Sequence, residues 1–381
     1  MHIKQLAIPF ILLASMSACG NKNHDGNVGI NEILSISYSG ADSHSLIPSI
    51  LDSLMFIPLY GSIDHPIAHV DDLQINSQGY FILDQHRNII HAYSPSGDYL
   101  YQIDATGKGP GEYLEIGCFS ISDSALYTVD NYAKKITKYD IRDGSFIKNY
   151  DTPITVGGMR KLNNGNFLLC ELPIEGATQT DASDGSRIYL ADSTLKIIDS
   201  LLPYINGRDK IQMPQLMKGG DGTISYGSYG YNGYTLLDSR DGHVVGNVSV
   251  TTSKPFNQAE IKDMQLTEAL DFIDNNGYKF LVSTPLDAGR YVVFTIKEGQ
   301  NGEVCVYDKV TSKKYFNSNT DFNNLFICPD ESYNGKFYTI YNFGADFLDT
   351  QLKSGFNKPP HIADSIIRND GTVLLCYTMK E

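Results

Sequence analysis

From Leu73 to Ile103 the chain alternates short apolar strands with polar turns: LQIN, SQG, YFILD, QHRN, IIHAYS, PSG, DYLYQI. Phe119 to Tyr150 repeats the pattern as FSIS, DSA, LYTVD, NYAK, KITKYD, IRDG, SFIKNY, with Asp84 matching Asp130 and Tyr93 matching Tyr139. Alternation at a period of two, with turn signals every eight to twelve residues, predicts antiparallel four-stranded meanders. Looser copies run from Met159 to Leu202, Met213 to Val250 and Ser283 to Phe316, and a last one begins near Asn324. Four-stranded units recurring about every 40 to 50 residues are the mark of propeller blades. The expected fold is therefore all-β, a six-bladed β-propeller over residues 51–381. Its ring would close by pairing the N-terminal strand Leu54 to Tyr60 with VLLCYTM after Thr372. A seventh blade is the alternative, because Asn369-Asp370-Gly371 has the composition of another hairpin turn.

One stretch departs from this rhythm. Residues 257–277, NQAEIKDMQLTEALDFIDNNG, place Ile261, Met264, Leu270 and Ile273 at roughly helical spacing and end on Asn276-Gly277, a good helix stop. A helical insertion is expected there, between blades 4 and 5, either filling a gap by packing or lying as a lid over the central channel. A weaker helix is expected near Ala345 to Leu352.

The first residues read as an address. Lys4, the apolar run Leu6 to Ala14 and small residues up to Ala18 form a secretory signal, residues 1–18, to be set aside from the fold. Met16-Ser17-Ala18-Cys19-Gly20 resembles a bacterial lipobox, with Met16 where Leu is usual, so Cys19 is the expected lipidated N-terminus. A plain signal peptide cleaved near Ala18 is the alternative. Asn21 to Gly29 is polar and rich in Gly and Asn, and residues 19–50 are expected to serve as a flexible tether.

Composition narrows the partners. Thirty Lys and Arg against 44 Asp and Glu give a net charge of -14, which disfavours nucleic acid, whose binding draws on clustered cations. Hydrophobic residues make up 41% and charged residues 19%, too apolar for a disordered chain. Apart from Cys19, the cysteines are Cys118, Cys170, Cys305, Cys328 and Cys376, an odd number without any CxxC. Buried free thiols are expected, not a disulfide framework or a zinc site. No HExxH, GxSxG, phosphate loop or calcium loop is present, so no cofactor and no metal are expected.

The segment Gly107-Lys108-Gly109-Pro110-Gly111-Glu112-Tyr113, lying between YLYQI and FSIS, together with the strand FIPLY, resembles the six-bladed β-propeller lipoproteins of Bacteroidota. Their blades are similar to NHL and TolB-type repeats. The resemblance covers roughly residues 53 to 379 and is densest in the first two blades. The C-terminal strand departs from it, with Asp370-Gly371-Thr372 where an Asn-Pro-Val type ending is usual. The resemblance implies an outer-membrane lipoprotein, facing the periplasm or the cell surface, and no settled activity.

Topology nominates a face. In a four-stranded meander, the loops joining strand two to three and each blade to the next emerge together. That places His86, Arg87, Lys108, Glu112, Tyr113, Asn131 and Tyr132 on one rim, with the tyrosine-rich loop holding Tyr229 and Tyr231. Tyrosine faces suit a sugar ring or a peptide, whereas Glu112 and the glycines beside it could equally brace a turn. Asp84 and Asp130, recurring at one blade position, are expected to make a structural hydrogen bond within each blade. The leading expectation is a monomeric, membrane-tethered binding module for a glycan, a peptide or an envelope protein. The alternative is a glycan-active hydrolase or lyase at the channel mouth, which requires convergent carboxylates there with a shifted pKa. An assembly scaffold is the third possibility.

Overall fold

The computed structural model describes residues 30–38, 49–152, 154–172, 186–203, 216–219, 222–227, 232–255, 257–261, 263–298, 301–318, 329–353 and 357–380. Two strands precede the blades: β1 (Glu32–Tyr38) and β2 (Leu51–Pro58). Blade 1 is β3 (Asp72–Asn76), β4 (Gly79–Asp84), β5 (Ile89–Tyr93) and β6 (Tyr99–Ile103). Blade 2 is β7 (Cys118–Ile121), β8 (Ala125–Asp130), β9 (Lys135–Asp140) and β10 (Phe146–Asp151). Blade 3 is β11 (Val156–Lys161), β12 (Phe167–Glu171), β13 (Ser186–Ala191) and β14 (Ile197–Pro203). Blade 4 is β15 (Leu216–Lys218), β16 (Thr223–Gly227), β17 (Gly233–Asp238) and β18 (Val244–Thr252), followed by α1 (Leu266–Asn275).

In blade 5, β19 (Lys279–Leu281) and β20 (Leu286–Ala288) both pair with β21 (Tyr291–Glu298), which continues into β22 (Asn301–Asp308) and β23 (Lys314–Ser318). Blade 6 holds β24 (Glu331–Tyr333), β25 (Lys336–Tyr341), α2 (Gly344–Lys353), α3 (His361–Arg368) and β26 (Val373–Met379). The described strands form six sheets, and the described α-helices are three and short. The protein is a mostly-β, six-bladed propeller. None of the described helices is long and apolar enough to cross a membrane.

The period-two pattern explains how the blades stack. β4 is buried at every position because alternate side chains serve different cores. Phe81 and Leu83 pack with Phe119, Leu126 and Tyr139 of blade 2. Tyr80 and Ile82 pack with Tyr338, Ile340 and Leu374 of blade 6. Ring closure follows the expected pairing: β2 runs antiparallel to β26, with Leu54 opposite Tyr377 and Phe56 opposite Leu375. A Cβ on Gly97 would stand 2.0 Å from the Pro58 carbonyl oxygen, so glycine lets the last turn of blade 1 meet the closing strand.

Asp84 and Asp130 act alike. Asp84 accepts hydrogen bonds from the Ala68 and Arg87 amides, and Asp130 from those of Leu114 and Ala133. Each buried carboxylate ties the incoming loop to the turn that follows its own strand. Cys170, Cys305 and Cys376 are buried free thiols and Cys118 is partly so, whereas Cys328 lies outside the described residues.

Three features correct the sequence expectation. Part of the expected tether is a strand: Leu34, Ile36 and Tyr38 alternate with serines and pack against Val248, Val250 and Phe294, adding β1 to blade 4 in parallel with β18. Asn369-Asp370-Gly371 ends α3 instead of turning a hairpin, the Gly371 amide donating to Ile366 O at 2.9 Å. α3 itself was not foreseen; it packs Ile366 and Ile367 with Leu348 of α2 and with Val373 and Leu375 of β26. α1 carries the expected stop, with Asn276 as its C-cap and Gly277 at φ +62°.

Candidate functional site

Each innermost strand runs from the face bearing the blade-to-blade loops to the face bearing short turns, here called the loop face and the turn face. The six inner strands β3, β7, β11, β15, β20 and β24 contact one another in that order around the axis, and β24 returns to β3. At the loop-face mouth of this ring lies a cavity of about 190 Å³ whose polar lining is Asp71, Asp72, Ser283, Thr284 and Asp330. Leu73, Met217 and Leu286 supply apolar wall.

Arg160, one residue from the end of β11, organises the wall beneath. It is 7% exposed, and its Nε donates to Leu216 O of blade 4. Its Nη2 lies 3.7 Å from Asp72 Oδ1 of blade 1 and 3.7 Å from Glu331 Oε2 of blade 6. One guanidinium from blade 3 thus touches three other blades. Gln74 holds Asp72 from the other side, its Nε2 donating to Asp72 Oδ2 at 2.9 Å and to Phe119 O at 2.7 Å.

Asp330 accepts a bond from the Ile340 amide at 2.8 Å, yet burial pushes its carboxyl up to about 7, and the neighbouring Asp72 adds to the rise. Burial also raises Asp72, against the pull of Arg160. A carboxyl half-protonated at neutral pH, beside a second carboxyl and above a fixed cation, can both donate to and accept from a bound group.

A second cavity, of about 380 Å³, opens on the flank of blade 1 between Asp64, His65, Arg87, His91 and Gln102. The His65 ring stacks on Tyr99 at 4.0 Å, and Arg87 Nη1 donates to Pro66 O at 2.6 Å. His91 is 1% exposed, and neither ring nitrogen has a hydrogen-bond partner. Burial drives its pKa down to about 4, so it is neutral at pH 7.

The residues nominated from sequence divide by role. Tyr113 is fully buried; its hydroxyl lies within hydrogen-bonding distance of the Asn88 and Ile103 carbonyls and accepts from the Ala105 amide. Glu112 accepts from the Gly109 amide at 2.6 Å and braces its own loop. Asn131 brackets blade 3, accepting from the Val156 amide and donating to its carbonyl, each at 2.9 Å. Asn88 makes the corresponding bracket to blade 2 through Ile116 N and Leu114 O.

His86, Lys108 and Tyr132 are exposed on the loop face, while Arg87 is held to Pro66. Tyr229 and Tyr231 lie outside the described residues. Tyr226 and Tyr234, which flank them, are buried and bonded to Arg187 and Asp287. The described His, Cys, Asp and Glu side chains that crowd as ligands could are Asp238, Asp241 and His243 on the turn face. There Arg240 already pairs with Asp238.

The mouth charges were missed from sequence. A signal was present in charges set into short first strands: Asp72 and Glu331 are each the one charge of DLQIN and ESY, and Arg160 follows the uncharged run VGGM. A similar signal was a histidine inside the apolar run IIHAY.

Residues 39–377 match the sequence profile of a family described as a domain of unknown function (DUF4934). The fold is similar to that of a Bacteroides fragilis protein assigned as exported, at 18% identity and TM-score 0.72, over 91% of this chain and 100% of that one. A member of the DUF4221 family from Bacteroides vulgatus aligns over 87% of this chain and 98% of that one, at 9% identity and TM-score 0.48. No curated protein matches.

Proposed function

The chain belongs to the family described as a domain of unknown function (DUF4934), and we propose, from its site, that it is an envelope lipoprotein that binds its ligand at the channel mouth. In this reading residues 1–18 direct export and Cys19 carries the lipid that holds a monomeric, NHL- or TolB-like propeller at the outer membrane. The exported assignment of the similar Bacteroides fragilis protein supports export. α1 borders the face between blades 4 and 5, and His86, Lys108 and Tyr132 form its outer rim, with Tyr229 and Tyr231 as further candidates.

The observation that carries the binding reading is the mouth itself: Asp71, Asp72 and Asp330 around one cavity with two hydroxyl side chains. Such a lining favours a ligand rich in hydrogen-bond donors, either the hydroxyls of a glycan or a basic group of a peptide. The test is a thermal-shift panel of glycans, peptides and divalent cations on the soluble chain from Asn21. A true ligand raises Tm with dose, by the linkage of native-state binding. D72N and D330N should weaken that shift, and a shift indifferent to both would remove the mouth as the site.

One observation favours a second reading, a glycan-active enzyme: Asp330 titrates near neutrality beside another carboxyl, as a general acid does. A sugar that shifts Tm should then be consumed, and D330N should lose turnover even at sugar concentrations that saturate its weakened binding. Binding without turnover in the parent protein rejects the enzyme.

A further inference from the structure

The parallel pairing of β1 fixes where the chain enters the propeller. β18 leaves the turn at residues 239–243, on the turn face, and runs toward the loop face. β1 lies parallel to it, with Glu32 opposite Asn247 and Tyr38 opposite Thr252, so β1 also begins on the turn side. The Asn247 amide donates to Asn31 O at 2.9 Å, one residue before the strand. Ile30 packs against the buried cluster shared by blades 3 and 4, which includes Leu162 at the turn-side end of blade 3. The chain is therefore gripped at the turn-side rim.

We propose that the turn face is the surface laid toward the lipid bilayer and that the loop face, with the channel mouth, points away from it. This rests on the acylation of Cys19 proposed above. Eleven residue steps separate Cys19 from Ile30, and fully extended they span at most about 40 Å. β18 has nine residues, and a strand of that length rises about 30 Å. From the turn-side rim the lipid reaches a bilayer directly below. Turning the loop face downward would use most of the contour length merely to climb back along blade 4.

The two faces also differ in form. The turn face ends in short turns, whose exposed tips carry Asp98, Asp123, Asp143 and Asp241 as well as Arg142 and Arg240. Val310 is 74% exposed, and Arg142 and Arg240 are held by Asp140 and Asp238 with their guanidinium groups outward. The loop face carries the longer connections, including α1 and the α2–α3 pair, which would hold it off a flat surface.

The test uses the full-length, acylated protein in vesicles of phosphatidylethanolamine and phosphatidylglycerol containing headgroup-nitroxide lipid. Fluorophores are placed through V310C on the turn face and Y132C on the loop face, with Q78C and K108C as a second pair should either fold poorly. Lipid quenching at least about twofold stronger at Val310 than at Tyr132 is expected, with Gln78 likewise above Lys108. Equal quenching, or the reverse order, overturns the orientation while leaving the anchor standing. Mass analysis of the same preparation reads Cys19, and an unacylated N-terminus removes the anchor and this proposal together. A 20-residue Gly/Ser insertion after Gly29 should bring the two labels toward equal quenching, because the constraint is tether length. A ratio unchanged by the insertion would overturn the tether argument.

Discussion

The channel mouth and the flank cavity open on the same side of the molecule, and burial moves one titrating side chain in each toward its neutral form. At the mouth Asp330 is set in a frame of polar partners: Ile340 N bonds it, while Gln74 and Arg160 hold Asp72 next to it. On the flank His91 has no partner on either nitrogen. A charge buried inside a compensated network ties blades together, and removing one member exposes the others. A lone buried imidazole carries its desolvation as a local penalty and ties nothing.

The pH signatures are opposite in sign. Asp330 is raised from 3.8 to about 7, so its contribution to stability is full below pH 4 and is lost as pH rises through 7. His91 is lowered from 6.5 to about 4, so its contribution is present above pH 6.5 and is lost as pH falls through 4.

The largest effect should come from R160M, which leaves Asp72 and Glu331 without their shared cation. A loss of about 3–5 kcal/mol in urea unfolding at pH 7 is expected, and adding D72N and E331Q should recover part of it. A loss under about 1 kcal/mol would mean that the four-blade contact is not a network. Next is D330N, which should stabilise by roughly 2–4 kcal/mol at pH 8 and leave pH 4 unchanged. Equal effects at the two pH values would remove burial as the cause of the raised carboxyl. H91L should be neutral or slightly stabilising at pH 7.5 and should recover up to about 3 kcal/mol near pH 4. If its acid limb matches that of the parent, His91 is not the group that titrates.

The same contrast explains what could be read from the chain. Blades 1 and 2 were legible because each writes its four strands with tight turns, so Asp84 and Asp130 aligned and their shared structural role followed. Blade 5 was blurred because its inner strand is split into β19 and β20, three residues each, too short to show alternation. β1 hid in a stretch judged by its polar flank, although EILSISY alternates. α3 was lost because HIADSIIR runs straight into Asn-Asp-Gly, which signals a hairpin as readily as a helix end.

The mouth was illegible for a different reason. Asp72, Arg160 and Glu331 stand in three blades, and only closure of the ring brings them within 4 Å. In a solitary strand each would read as a solvent-facing position. His91 carried a weaker signal of the same kind, a polar residue on a face that the repeat makes apolar.

The smallest effects sharpen the comparison at the rim, where two nearby tyrosines were nominated together. Y113F removes a buried hydroxyl that lies between two carbonyls and accepts from an amide, and should cost about 1–2 kcal/mol. Y132A removes a ring that is 75% exposed and should leave the melting curve unchanged. Ligand titration then separates their roles. Y113F should reduce stability while leaving ligand affinity unchanged, because its hydroxyl never reaches the surface. Y132A should weaken affinity severalfold if the ligand extends from the mouth to the outer rim at blade 2. If Y132A leaves affinity unchanged while D72N and D330N abolish binding, the site is confined to the axial cavity, and its ligand is small enough to be held by the inner strands alone.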